Sequence, residues 1–247
     1  FDDGSAAVTC ERGRGVACLM GLDLGRLAQL GMDGRAEPIN RRFVNGYEPS
    51  LDVLFRWVRD FYVEHEPMPW LLSRVPGDRA VAIVLTHDVD YGPAVDNARA
   101  FAEALAARGV GGSFFIQTKY RRDYNDRAFF DPAAVGTLAA LRARGMELAS
   151  HSVAHSRVFD TFPAGRGDER YPQYRPSVRN REVTVDGTVL GELRVSKFLL
   201  DTLADADVAS FRPGYLANPF ALPQLMHAAG YRFSSSLTAN RTLTHLP

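Results

Sequence analysis

From residue 79 onward, short continuous apolar runs alternate with stretches of helical spacing, and this rhythm limits the fold more than any other property of the chain. Val81-Ala82-Ile83-Val84-Leu85 reads as a buried strand. Residues 93–108 follow as a helix, with Val95, Ala98, Phe101, Ala102 and Leu105 on one face and Gly109 as its stop. Ser113-Phe114-Phe115-Ile116 reads as a second strand, and Asp131-Pro132 as a cap with proline at the first helical position of a helix ending at Gly145. Residues 146–149, 208–211 and 231–235 predict three more strands, with helices over 196–203 and 223–229. Strands apolar on both faces and separated by helices require a parallel sheet covered on both sides. The expected class is therefore α/β, either an open doubly wound sheet or a (β/α) barrel. Five strand–helix units do not close a barrel, so the domain over 79–247 is expected to be incomplete at the C-terminus.

The first third of the chain lacks this rhythm. Residues 1–45 hold two short strand-like runs joined by Glu11-Arg12-Gly13-Arg14, then a helical stretch over 22–30, and read as the tail of an upstream domain. Residues 46–78 read as a helical connector, with Leu51, Leu54, Trp57, Val58 and Phe61 on one face and prolines at 67, 69 and 76 interrupting regular structure after the helix. Trp57 and Trp70 are expected to pack against the next domain. A second irregular segment, 156–195, interrupts the strand–helix units; it is rich in arginine and tyrosine and reads equally as a substrate-shaping loop or a solvated insertion.

Lys plus Arg and Asp plus Glu both number 29, a zero balance that gives no electrostatic case for nucleic acid or an anionic membrane. The two cysteines, Cys10 and Cys18, form no CxxC and do not accompany the histidine pair, which argues against a thiolate zinc site; they read as two buried free thiols, with a Cys10–Cys18 disulfide as the alternative. No apolar run reaches the length of a membrane span, and no signal-peptide pattern opens the sequence, which leaves the compartment unknown.

Reactive side chains gather where the strands end, the edge at which functional groups converge in α/β folds. Asp88 and Asp90 follow the first apolar run, and in an extended strand residues two apart point the same way. Two carboxylates sharing a pocket repel unless a cation intervenes. A metal beside Asp90 would remove that conflict and leave Asp88 free to take a proton. His151 and His155 follow the third run and share a face if the segment is helical. Arg212, in the tight Arg212-Pro213-Gly214-Tyr215, could hold Asp88 through a bidentate pair, and the Tyr215 N–H could face a developing oxyanion. Taken singly these groups have plainer readings, as turn aspartates, a packed histidine pair and a surface arginine. Tyr120 and Tyr124, after the second strand, are placed to touch a substrate. His87 alternates with the aspartates and is expected on the opposite face.

Together, Thr86-His87-Asp88-Val89-Asp90, His151-Ser152-Val153-Ala154-His155 and Phe211-Arg212-Pro213-Gly214-Tyr215 resemble the first three motifs of the polysaccharide deacetylases, the metal-dependent carbohydrate esterases of family four. The resemblance implies a distorted (β/α) barrel of the glycoside hydrolase/deacetylase type and removal of acetyl groups from an acetylated glycan or polysaccharide. It implies one divalent metal, Zn2+ first and Co2+, Mn2+ or Ni2+ as alternatives, held by Asp90, His151 and His155. Asp88 would be the general base, Arg212 its support, Tyr215 an oxyanion donor and His245 the acid of the family's late motif. Two departures stand out: Val89 separates aspartates that are usually adjacent, and the residue usual between Arg and Pro is absent. Phe1-Asp2-Asp3-Gly4 imitates the usual first motif but has no strand before it. The alternative readings are a hydrolase of a non-sugar C–N amide on the same scaffold, and a catalytically inactive glycan-binding domain.

Overall fold

The computed structural model describes residues 6–27, 50–71, 75, 77, 79, 81–125 and 127–236. It divides into two compact units, residues 1–82 with 239–247, and residues 83–238. In the first unit, β1 (Ala7–Arg12) and β2 (Gly15–Met20) form an antiparallel ribbon, and α1 spans Ser50–His65. The register pairs Cys10 with Ala17 and Cys18 with Thr9, so the two thiols point to opposite faces of the ribbon. Both cysteines are free, and both are half-buried rather than buried. Trp70 is 86% exposed.

The second unit holds the repeating architecture. Its parallel sheet contains β3 (Thr86–Val89), β4 (Ser113–Ile116), β5 (Glu147–Ser150), β8 (Ser210–Phe211) and β9 (Phe233–Ser234), in that spatial order. Helices α2 (Gly92–Ala106), α3 (Pro132–Ala143), α4 (Val189–Leu203) and α5 (Leu222–Ala228) connect or flank the strands. Between β5 and α4 the chain forms a small ribbon of β6 (Ser177–Val178) and β7 (Thr184–Val185). The result is an α/β fold with an all-parallel sheet that stays open among the described residues.

Local chemistry explains most boundaries. The Asp131 carboxylate accepts the Ala134 N–H at 2.9 Å, and Pro132 follows it, a cap worth about 1 kcal/mol. Helix α4 begins at Val189, seven residues before the expected start, because the Thr188 hydroxyl accepts the Gly191 N–H at 3.0 Å and caps it there. The insertion is not a solvated excursion: Phe159, Tyr174 and Val178 are buried within it. The largest correction concerns the first strand. Ladder pairing starts at Thr86, and Val81, Ile83 and Val84 are 69–79% exposed rather than buried. β3 is an end strand that pairs only with β4 among the described residues, so no second neighbour covers this run.

Register assigns the faces. Asp88, Phe115 and Ala149 lie side by side across β3, β4 and β5, and His87, Phe114 and Leu148 lie side by side on the other face. That second face meets the helices. His87 stacks on Phe114 at 4.8 Å between ring centroids and lies 4.6 Å from Phe101 of α2. Beneath the helices sits a core that includes Phe114, Ile116, Leu138, Leu148, Leu193 and Phe211.

His87 sits in this layer with its Nε2 buried and without a hydrogen-bond partner among the described residues. Burial lowers its pKa from the ordinary 6.5, and the neighbouring Asp88 charge opposes that only in part. A lowered folded-state pKa means that the unfolded chain takes up a proton first as the pH falls, so stability declines below pH 6.5. Replacement of His87 by Phe is expected to raise the unfolding free energy at neutral pH by about 1 kcal/mol, through relief of the orphaned nitrogen. The same variant should lose less stability than the wild type between neutral and mildly acidic pH. Urea midpoints of both proteins in the two buffers measure this.

Candidate metal centre and catalytic site

Each reactive side chain is delivered by the end of a strand. Asp88 belongs to β3, and Asp90 lies one residue beyond it. His151 is the first residue after β5, and Arg212 the first after β8. The segment 151–156 is buried irregular backbone rather than a helix. Within it Ser152 and His155 adopt left-handed conformations with φ of 68° and 52°.

This backbone brings three ligating atoms together. His151 Nε2 lies 3.2 Å from Asp90 Oδ1 and 3.2 Å from His155 Nε2, and the third side of the triangle is 3.6 Å. Two ligands each about 2.0–2.2 Å from a tetrahedral zinc ion lie about 3.3–3.6 Å apart. The triangle therefore has the size of one face of such a site. The donor chemistry agrees. His151 Nδ1 lies 2.7 Å from the Arg212 carbonyl oxygen, which can only accept, so Nδ1 carries the proton and Nε2 offers a lone pair. Asp90 Oδ1 is buried and has no hydrogen-bond donor among the described residues.

The electrostatics favour ligation. Burial lowers the His155 pKa to about 3, with the adjacent His151 adding to the effect, so His155 is neutral at physiological pH. Burial alone would raise Asp90, but His151, His155 and Arg212 outweigh it and hold the carboxyl below its usual range. One ionised oxygen and two imidazole nitrogens thus converge on one point. These residues fit a divalent cation with nitrogen and oxygen ligands.

Asp88 is set apart from this triangle by its partner. Arg212 Nη1 donates to Asp88 Oδ1 at 2.6 Å, while Asp88 Oδ2 lies 3.7 Å from His151 Nε2. The guanidinium is itself fixed. Nη2 donates to Thr86 Oγ1 at 3.1 Å and Ser235 Oγ at 2.8 Å, and the group stacks 4.1 Å from the Phe115 ring centroid. The pair is made through one guanidinium nitrogen, with the others taken by hydroxyls, so it is not the expected bidentate one.

The third motif forms a tight turn over Gly214–Leu216, with Tyr215 at φ 55°. A methyl group on Gly214 would lie 2.6 Å from His155 Cδ2, so only glycine lets the ring lie against this backbone. The Tyr215 ring packs 4.7 Å from His155 and under Arg157 at 4.2 Å. Tyr124 is 58% exposed. Tyr120 is half-buried, its hydroxyl donating to the Tyr174 carbonyl, so that hydroxyl ties two loops together. His245 and the Phe1-Asp2-Asp3-Gly4 run lie outside the described residues. Sequence reasoning missed Glu192 and Asn125, which hold the histidine loop from behind; a glutamate amid the apolar face of α4 was the signal that could have found the first.

No curated protein sequence matches. Solved structures that resemble the chain include a carbohydrate esterase family 4 pseudoenzyme from Bacillus anthracis, at 12% identity over 61% of this chain and 41% of that one, with a TM-score of 0.42. A family 4 carbohydrate esterase from Streptomyces lividans in complex with acetate gives 16% identity, 61% and 60% coverage and 0.40. The Streptococcus pyogenes deacetylase PplD in complex with acetate gives 12%, 84% and 68%, and 0.42. The chain thus spans less than half the length of the Bacillus anthracis protein. The polysaccharide deacetylase family profile matches residues 77–234, a span that contains the strand ends carrying Asp88, Asp90, His151, His155 and Arg212, and the chain belongs to that family.

Proposed function

We propose that the chain is a metal-dependent hydrolase that removes acetyl groups from N-acetylated sugars of a polysaccharide or glycan. The observation that carries this reading is the meeting of Asp90, His151 and His155 in one triangle, with Asp88 held beside it by Arg212. Asp90, His151 and His155 would hold the cation, Zn2+ by its preference for this donor set. A divalent ion there supplies Lewis acidity, polarising an acetyl carbonyl and lowering the pKa of water toward ~7.

The remaining steps belong to the protein. Asp88 accepts the proton of the attacking water while the water oxygen bonds to the acetyl carbon. Arg212 keeps Asp88 aimed, because its guanidinium has little freedom between Thr86, Ser235 and the Phe115 ring. The Tyr215 N–H is the proposed donor to the oxygen that gains charge. Cleavage of the C–N bond returns a proton to the sugar nitrogen, a role assigned to His245, and acetate leaves. Tyr124 would contact the glycan beside the reacting group.

The test is acetate release from acetylated chito-oligosaccharides, with and without a chelator, with metal content measured on the same sample. Activity should vanish with the metal and return when zinc is restored. Full activity in a metal-free sample would defeat the reading, and release only from small non-sugar amides would move the activity to another substrate class. Asp88→Asn is expected to keep its metal and lose turnover by about 10²-fold or more, the scale of general-base catalysis. Gly214→Ala is expected to displace His155, costing about 1–3 kcal/mol of stability through overpacking. That variant should also bind zinc more weakly than the wild type, as competition with a chromogenic chelator would read.

A further inference from the structure

A buried segment without a ladder must satisfy its peptide groups one at a time. Residues 152–155, which run from the first proposed histidine ligand to the second, do this almost wholly through groups from elsewhere. The Ser152 carbonyl accepts Thr118 N–H at 3.0 Å, and the Val153 carbonyl accepts the Gln117 amide at 3.2 Å. The Asn125 amide donates to the carbonyls of Ala154 and His155 at 3.3 and 2.8 Å. Ser152 N–H donates to Ser150 Oγ at 3.4 Å, and His155 N–H donates back to Ser152 Oγ at 3.2 Å. The N–H groups of Val153 and Ala154 remain, and both point at one atom, Glu192 Oε2, at 2.7 and 2.8 Å.

Glu192 lies in the first turn of α4 and is 1% exposed. Its other oxygen accepts the Tyr174 hydroxyl at 2.8 Å. That hydroxyl also accepts the Thr188 N–H at 3.1 Å. A methyl group on Gly191 would stand 2.1 Å from the Tyr174 ring, so the helix leaves room for this phenol. The insertion between β5 and α4 thereby braces a carboxyl group that lies outside the triangle of Asp90, His151 and His155.

We propose that Glu192 is a positioning residue of the metal centre: by taking both N–H groups between the two histidines, it fixes the aim of His151 and His155 and so sets the affinity for the cation. The inference rests on the metal reading of the site. Ser152 and His155 hold left-handed backbone, a conformation that persists only where the surroundings over-determine it. Release of two of the loop's hydrogen bonds lets it relax and turns His155 Nε2 away from Asp90. What matters is an acceptor at the reach of a glutamate. Glutamine supplies one, its amide oxygen taking both N–H groups and its NH2 facing the Tyr174 oxygen. Aspartate keeps the acid but falls one methylene short.

The test uses the metal itself. The metal-free full chain is titrated with Co2+ against a competing chelator, following the ligand-field absorption, with far-UV circular dichroism as a check of folding. Glu192→Asp should bind about 10- to 100-fold more weakly, the usual range for groups that orient metal ligands, and with an altered spectrum. Glu192→Gln should match the wild type. Wild-type affinity in E192D overturns the proposal, and so does an E192Q protein as weak as E192D. If E192D does not fold, Tyr174→Phe decides, since it removes only the hydroxyl that braces Glu192; weaker binding supports the proposal and unchanged binding overturns it. A wild-type chain that shows no cobalt spectrum overturns the metal reading and the Glu192 role with it, whereas a normal wild type with a normal E192D overturns the Glu192 role alone.

Discussion

Arg212 ties together two strands that are not neighbours in the sheet. It follows β8, and Asp88 belongs to β3, with β4 and β5 between them. Three strand spacings amount to about 14 Å. The guanidinium nevertheless meets the Asp88 carboxylate at 2.6 Å and lies on Phe115 of the intervening β4. The two side chains reach toward each other over the face that carries Asp88, Phe115 and Ala149. The same residue acts through its backbone as well: its N–H donates to Ser150 at 3.0 Å, and its carbonyl fixes the His151 tautomer. One residue thus joins β8 to β5, aims an imidazole and holds the neighbouring carboxylate.

The site depends equally on backbone that no regular element could supply. Two side chains four apart on a helix would share a face, but here the segment is extended, turned and left-handed at two residues. This conformation lets His151 and His155 approach one point from different directions, with their rings at 64°. The cost of irregular buried backbone is met by Thr118, Gln117, Asn125 and Glu192, drawn from the loop after β4 and from α4. Gly214 completes the enclosure by lacking a side chain where the His155 ring lies.

Much of this was legible from the residues. The strand over Ser113–Ile116 and the cap at Asp131 followed from apolar continuity and proline placement, both local signals. His87 on the helix side, opposite Asp88, followed from the two-residue period of a strand. What composition could not reveal was pairing. Val81-Ala82-Ile83-Val84-Leu85 looks more like a strand than Thr86-His87-Asp88-Val89 does, yet a strand exists only where a neighbour offers its hydrogen bonds, and that begins at Thr86. The start of α4 was hidden by a segment that reads as loop, since Gly191 and Glu192 weaken the helical pattern. Both residues depart from it because of Tyr174, eighteen residues before Glu192 in the chain, which no local rule connects to them.

The spacing of the two aspartates can be argued from the same strand geometry. Adjacent residues in an extended strand point to opposite faces, whereas residues separated by one share a face. Val89 is 1% exposed, pairs with Ile116 and is part of the core beneath the helices. With Val89 anchored on that side, Asp88 and Asp90 are both turned to the opposite face, and each reaches His151 Nε2, at 3.7 and 3.2 Å. Their environments then separate them. Asp88 has a guanidinium partner, and Asp90 Oδ1 is buried without a donor among the described residues. Two carboxylates on one face would otherwise compete for a single proton. In the proposed mechanism, the arginine beside the first suits it to proton transfer, and the two imidazole nitrogens around the second suit it to a cation. Val89 is the anchor that makes this division possible in a chain whose aspartates are not adjacent.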